Sequence, residues 1–496
     1  MKTKVNLKLI AGVAGLNFTF STLAAGDSAV PDSAANTTTP GGATTVAPAA
    51  NVTVGNASPA SAAEVEELKK QIDELDQKIR ILEREREIDQ DNAAEIVKSQ
   101  PKIIMGPGGF SMSTADSNFV AELHGVLQWD SRSFFQDGGN NGTDGFLLRR
   151  ARPIFSGTVF HDFDFNFTPD FGGSTVQVVD AYMNYRYNSA FQLEAGKFKA
   201  PVGLEALVAD RDTLFNERSL ATDLVPNRDL GAMLHGNVMG GAISYGIGVF
   251  DGATDYNGTT VNSPFEDDKA FEGRMFFQPW INTGVNALRG LGFGVAGTYM
   301  DNHPATNSAT GLTPGYTTDG QQKFFSYNAG VNAAGAAWRI SPQVYYYYGP
   351  LGILGEYVIS DQQVASATKS ADLDNTAWEV TGSWVLTGED ASYNGVTPRH
   401  PFDPRNGDWG AWQLVARYAG LNVDSKAFDD GFASSTKSAD GANAWSVGLN
   451  WYLNRNVRAD LSFTHTVFSG FTGKAAPGVV PAQAENVLFS RIQLAF

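Results

Sequence analysis

The sequence predicts an all-β fold, a 16-stranded antiparallel transmembrane β-barrel over residues 118–496, preceded by an N-terminal coiled-coil helix. Three observations predict it. Apolar and polar residues alternate with period two from Phe119 onward. Short turns alternate with long connections, as in outer-membrane barrels. The final segment, Asn486 to Phe496, carries Leu488, Ile492, Leu494 and Phe496 on one apolar face, so it can pair with the first strand and close the ring.

The chain opens with Lys2, Lys4 and Lys8 before an apolar stretch from Leu9 to Phe20, and Ala24 and Ala25 offer a cleavage point. That layout predicts a secretory signal peptide over 1–25. Residues 26–62 are rich in Ala, Thr, Ser, Gly, Pro and Asn with almost no large apolar side chain, which predicts a flexible linker. The period then changes. Val65, Leu68, Ile72, Leu75, Ile79 and Leu82 follow a 3-4 spacing among charged and Gln residues, the a and d positions of a short coiled coil over 63–92. Arg86 takes the next a position and ends the apolar seam. So short a coil is marginal alone and depends on a larger oligomer for local concentration. A solitary surface helix packed on the next domain is the alternative. A second linker is expected over 93–117.

Strands follow. Phe119, Ala121, Leu123, Gly125, Leu127 and Trp129 alternate with Val120, Glu122, His124, Val126, Gln128 and Asp130. Phe163, Phe165 and Phe167 interleave with Asp162, Asp164 and Asn166, and similar alternation recurs around Trp445–Trp451 and Val457–Phe463. In a barrel the first set of each faces lipid and the second faces water. Strands are expected near 119–134, 146–158, 159–169, 176–188, 190–198, 229–237, 241–250, 270–278, 290–300, 337–347, 351–360, 376–386, 409–420, 443–453, 456–467 and 486–496. Long connections span 199–228, 251–269, 301–336, 361–375, 421–442 and 468–485, and 387–408 is a long segment on the nominally short side. Phe324–Tyr327 is read as part of a long loop, since a further strand would make the count odd.

Composition narrows the function. No 18-residue apolar run follows residue 26, so no helix is expected to span a membrane. The formal charge is −17, with 53 acidic against 36 basic residues, which argues against nucleic-acid binding. There is no cysteine, hence no disulfide framework or thiolate chemistry. No His-Glu-x-x-His motif, phosphate-binding Gly-rich loop or nucleophile elbow occurs, so no enzyme, cofactor or metal site is expected.

Several segments together resemble the phosphate-selective porin O/P family. They are Phe146–Arg152, Ser156–Phe163, Asp180-Ala181-Tyr182, Gly196–Glu205, Asn216–Leu220, Asn227–Gly231, Tyr345–Pro350 and Leu386–Ala391. The resemblance covers roughly residues 118–496. It implies a homotrimeric channel in the bacterial outer membrane, with an inward-folding loop and a basic path toward a phosphate-binding constriction. The linker and coil would then lie in the periplasm, within reach of a contact to the cell wall. The final strand is what the barrel-assembly machinery would engage.

For a channel, the functional residues are those that narrow and charge the bore. The connection 199–228 is the candidate constriction loop, holding Lys199, Arg211, Arg218 and Arg228 beside Glu205, Asp210, Asp212, Glu217 and Asp223. Arg150 and Arg152 share one face of the second strand while Arg149 points the other way; they either line an anion path or make structural ion pairs with loop carboxylates. Lys197 and Lys199 share a face that leads into the loop. Asp162 and Asp164 are acidic lumen candidates, and they and the overall charge weigh against a strongly anion-focusing mouth. The function expected is a water-filled channel for small polar solutes, including anions such as phosphate. The alternative is a general or cation-tolerant diffusion porin whose coil also tethers the envelope.

Overall fold

The computed structural model describes residues 62–135, 142–173, 175–255, 268–302, 312, 315–472 and 484–496. The signal peptide and most of the first linker lie outside the described residues.

Sixteen antiparallel strands close into one barrel: β1 (Val120–Phe134), β2 (Gly145–Val159), β3 (Phe163–Asp170), β4 (Gln177–Asn188), β5 (Phe191–Lys199), β6 (Arg228–Val238), β7 (Ile243–Phe250), β8 (Ala270–Phe277), β9 (Leu291–Asn302), β10 (Asn332–Tyr348), β11 (Leu351–Ala365), β12 (Ser370–Val385), β13 (Ala411–Asn422), β14 (Gly441–Tyr452), β15 (Val457–Ser469) and β16 (Ala484–Ala495). Each pairs with its sequence neighbour. β16 then pairs with β1, with Leu494 opposite Leu127 and Val487 opposite Phe134. Beyond the last strand residue, Phe496 and Gly125 exchange two backbone hydrogen bonds of 3.0 Å. A Cβ at Gly125 would sit 2.8 Å from the Phe496 ring, so the closure requires glycine there.

The expected strands all appear, with shifted ends. β3 begins at Phe163 rather than 159, because Phe160 and His161 take left-handed φ values of 50° and 69° and make a tight turn. Leu127, Trp129, Leu461, Ile492, Leu494 and Phe496 are exposed on the outer face, as lipid contact demands, and Leu488 shares that face. Gln128, Asp130, Arg491 and Gln493 are buried on the inner face.

Two departures concern the start. The helix α1 (Ala62–Ser99) runs past 92, because Ala93 to Lys98 are ordinary helix formers and only Pro101 forbids continuation. Where the second linker was expected, Lys102–Gly106 and Gly109–Ser113 form a hairpin turned by Pro107 and Gly108, and its second strand pairs with β1 below the end of β16. The apolar seam of α1 is exposed, from Val65 at 44% to Leu82 at 63%, with Leu68, Ile72, Leu75 and Ile79 between.

The interior is partly filled by chain that leaves the wall. Residues 200–227 between β5 and β6 fold inward and carry a short helix, Leu204–Leu207, and a 3-10 turn, Leu220–Leu224. A ribbon of Tyr316–Thr317 and Lys323–Phe325 joins them from the loop before β10, so Phe324 and Phe325 lie outside the barrel sheet. Leu220, Leu224 and Val225 of the first loop and Tyr316, Phe324 and Phe325 of the second share one apolar cluster with Val358, Leu373 and Leu421 of the wall. The long segment after β12 also turns in: the Tyr393 hydroxyl donates to the Leu204 carbonyl at 2.5 Å.

Candidate functional site: a cation-lined constriction

A cavity of about 940 Å³ remains between the inward loop, the Thr317–Gln321 ribbon and the wall from β2 to β6. Its charged lining is Arg149, Arg150, Arg152, Lys197, Arg218 and Arg228 against Asp170, Asp210, Glu217 and Asp223. Thr175, Thr222, Thr317, Thr318, Gln177, Gln321 and Asn227 add neutral polar groups. Six cations therefore face four carboxylates around this cavity.

The wall delivers its arginines through an irregularity. Gln128 pairs with Arg150 and Trp129 with Leu148, leaving Arg149 as the extra residue of a β-bulge. The bulge turns Arg149 inward, contrary to the outward direction that strict alternation assigns it, and it binds Glu217 at 2.7 and 2.9 Å. β3 is only eight residues long, so the chain after Asp170 curls back at mid-height: the Phe171 amide donates to the Ala151 carbonyl at 3.0 Å. Gly172 permits that approach, since a Cβ there would lie 2.8 Å from the Arg149 carbonyl oxygen.

Two loop carboxylates tie the loop to this wall. Asp210 meets Arg218 at 2.8 Å, Arg150 at 3.4 Å and Arg228 at 3.5 Å, and it also bonds Arg152. Glu217 meets Arg132 at 2.6 Å as well as Arg149. Burial alone would raise both acids. The guanidiniums of Arg150, Arg218 and Arg152 outweigh it at Asp210, and Arg149 and Arg132 outweigh it at Glu217, holding both well below the usual carboxylate range. Asp223 is the opposite case: burial, with Asp319 and Asp255 nearby, pushes it well up against the single amide bond from Thr317.

The other candidates fall in different places. Lys197 faces the cavity, whereas Lys199 is half-buried outside its lining, donating to the Ala206 and Val208 carbonyls at 2.9 and 2.6 Å. Arg228 binds Asp180 at 2.8 Å. Arg211 is mostly exposed, and its guanidinium meets Asp212 at 3.4 Å. Glu205 lies on the far side of the loop, bound by Arg417 at 3.0 Å and by the Ser219 amide at 2.7 Å. Asp162 sits in the turn before β3, not on its lumen face, at 3.2 Å from His161, and Asp164 pairs with Arg186 at 3.2 Å. Neither lines the constriction. His124 is 3.5 Å from Glu122, and Asp130 belongs to a buried pair with Arg491 at 2.7 Å. Asp170, Arg132 and Arg417 were not singled out by the sequence, and Asp180 entered only as part of a motif; their roles follow from partners distant in the chain, Arg152 for Asp170, Arg228 for Asp180, Glu217 for Arg132 and Glu205 for Arg417.

Residues 122–496 match the family described as phosphate-selective porin O and P. The chain belongs to that family. This porin is 25% identical over 395 residues to Porin O of Pseudomonas aeruginosa, a match covering 73% of this chain and 86% of that protein. Among solved structures, it is similar to the outer membrane channel DcaP of Acinetobacter baumannii, with a TM-score of 0.48 and 10% identity over 76% of this chain and 98% of that one. It is also similar to an anion-selective porin from Comamonas acidovorans, with a TM-score of 0.48 and 11% identity over 76% of this chain and 100% of that one. Family membership makes the barrel an outer-membrane channel. The helix α1 precedes the matched segment.

Proposed function

We propose that this porin conducts small anions, of the size and charge of phosphate, in preference to cations. One observation carries the reading: the lining of the constriction is cationic, six side chains to four, although the chain as a whole has a net charge of −17. Guanidiniums present paired N–H donors that match oxyanion geometry, and a positive constriction in a low-dielectric wall concentrates anions. The acidic groups Glu205, Glu356 and Glu379 do not oppose this, because they lie outside the cavity lining, Glu205 against Arg417 and Glu356 beneath the Leu204 and Glu205 amides at 2.7 and 3.1 Å. That favours an anion path over the cation-tolerant alternative. The reversal potential of purified channels in planar bilayers under a salt gradient tests it. Anion preference, reduced when Arg150 and Arg152 are replaced by Gln, is the expected outcome; equal or cation-favouring permeability rejects the reading.

The same reading includes a homotrimer whose α1 helices lie in the periplasm. The chain enters β1 from the end of the barrel that carries the short turns, the periplasmic end in porins. The exposed seam of α1 needs a partner, and in a parallel bundle Glu64 lies near Lys69 of the neighbouring helix, as does Lys78 near Glu83.

A further inference from the structure

We infer that Asp210 occupies the seat a permeating oxyanion would otherwise take, so that the channel passes anions without retaining them. This rests on the anion-channel reading and goes beyond it by assigning the residue that sets affinity. Four guanidiniums from three places, Arg150 and Arg152 of β2, Arg228 of β6 and Arg218 of the loop itself, converge on one carboxylate at the cavity wall. Arg152 hydrogen-bonds one carboxylate oxygen and the other three guanidiniums stand within 3.5 Å as ion pairs, a convergence of planar cations of the kind that binds phosphate. Here the anion is supplied by the chain.

The remaining partners of the four arginines show what its removal would release. Arg152 keeps Asp170 at 2.6 Å and Arg228 keeps Asp180 at 2.8 Å. Among the described residues, Arg150 and Arg218 have no other carboxylate within 4.0 Å: Arg150 keeps the Gln128 side-chain oxygen at 2.7 Å, and Arg218 keeps the Val208 and Glu205 carbonyls at 2.8 and 3.2 Å. Behind them the Lys199 ammonium bonds the Ala206 and Val208 carbonyls. Without the Asp210 charge, two guanidiniums facing the cavity would need an anion from solution.

Asp210 is not needed to hold the loop in place. Glu217 and Glu205 clamp it independently, Arg491 donates to the Asn216 carbonyl at 2.8 Å, and Gln493 donates to the Arg211 carbonyl at 2.9 Å. A residue that served only as a clamp would leave anion affinity alone when lost and would widen the pore instead.

The test is phosphate titration of single-channel chloride current in the full-length wild type, Asp210→Asn and Asp210→Ala. The first variant removes the charge at constant volume and the second also vacates space. The expected result is half-block at a phosphate concentration about tenfold or more lower in both variants, with a wild-type current that stays unsaturated. Anion-preferring variants that bind phosphate no better than wild type overturn the inference while leaving the channel reading intact. Cation preference in the wild type sinks the channel reading itself. Where neither variant assembles, the wild type decides: saturation below about 1 mM phosphate shows an open seat and overturns the inference, and an unsaturated current supports it.

Discussion

Arg491 and Asp130 meet across the closing seam with both side chains wholly enclosed, joined by two 2.7 Å hydrogen bonds. Removing one member of such a pair strands the other charge in a low-dielectric interior. Arg491→Ala should therefore cost about 3–5 kcal/mol, read as earlier loss of the folded electrophoretic form on heating. Asp210 and Glu217 give a second residue-scale expectation. Their folded-state values are depressed, so the stability they lend is present above the ordinary carboxylate range and is lost only as pH falls through the lowered values. Conductance and ion preference should accordingly show no pH dependence arising from these two acids between about pH 5 and 8, with the Glu217 clamp released only in strong acid. Asp223 has the reverse sign. Its raised value means that anion preference should decline as pH climbs through it, and Asp223→Asn should abolish that decline. Which of these residues were legible is a question of backbone. Arg150 and Arg152 could be placed inward by alternation, but Arg149 could not, because nothing in Leu148-Arg149-Arg150 announces a bulge.

At the scale of elements, strands with one face in lipid were legible because their period is dictated by two solvents. Leu488→Arg, on the outer face near the middle of β16, should cost about 2–4 kcal/mol, whereas the same change at an inner position would tune permeation instead. The inward loop was legible in part: its length and mixed charge marked it, but the partner of each charge depends on wall residues far away in sequence, such as Arg417 for Glu205. Phe324–Tyr327 was rightly kept out of the barrel's strand count, yet the ribbon that Tyr316–Thr317 and Lys323–Phe325 form, and its packing against Leu220 and Val225, leave no trace in local pattern. The heptads of α1 make a direct forecast. A cysteine at Leu75, in a chain that has none, should cross-link copies in the membrane, and one at Gln77 on the opposite side should not.

For the whole molecule, the contrast between a net charge of −17 and a cationic constriction means that bulk composition says little about permeation. Charge acts where the dielectric is low and the bore is narrow, and the acidic excess elsewhere is screened within about one Debye length, roughly 8 Å at physiological salt. The junction of β16 with β1 carries one more implication. Arg491 and Asp130 are separated by 361 positions, so the contact that seals the wall waits until nearly the entire polypeptide is in place. Until then the growing sheet has two raw edges, each ready to zip onto a neighbour's, and contacts this distant in sequence form slowly. Assembly must therefore hold an unfinished cylinder apart from its siblings, and changes that weaken the last eleven residues should show first as aggregated precursor rather than as a leaky finished pore.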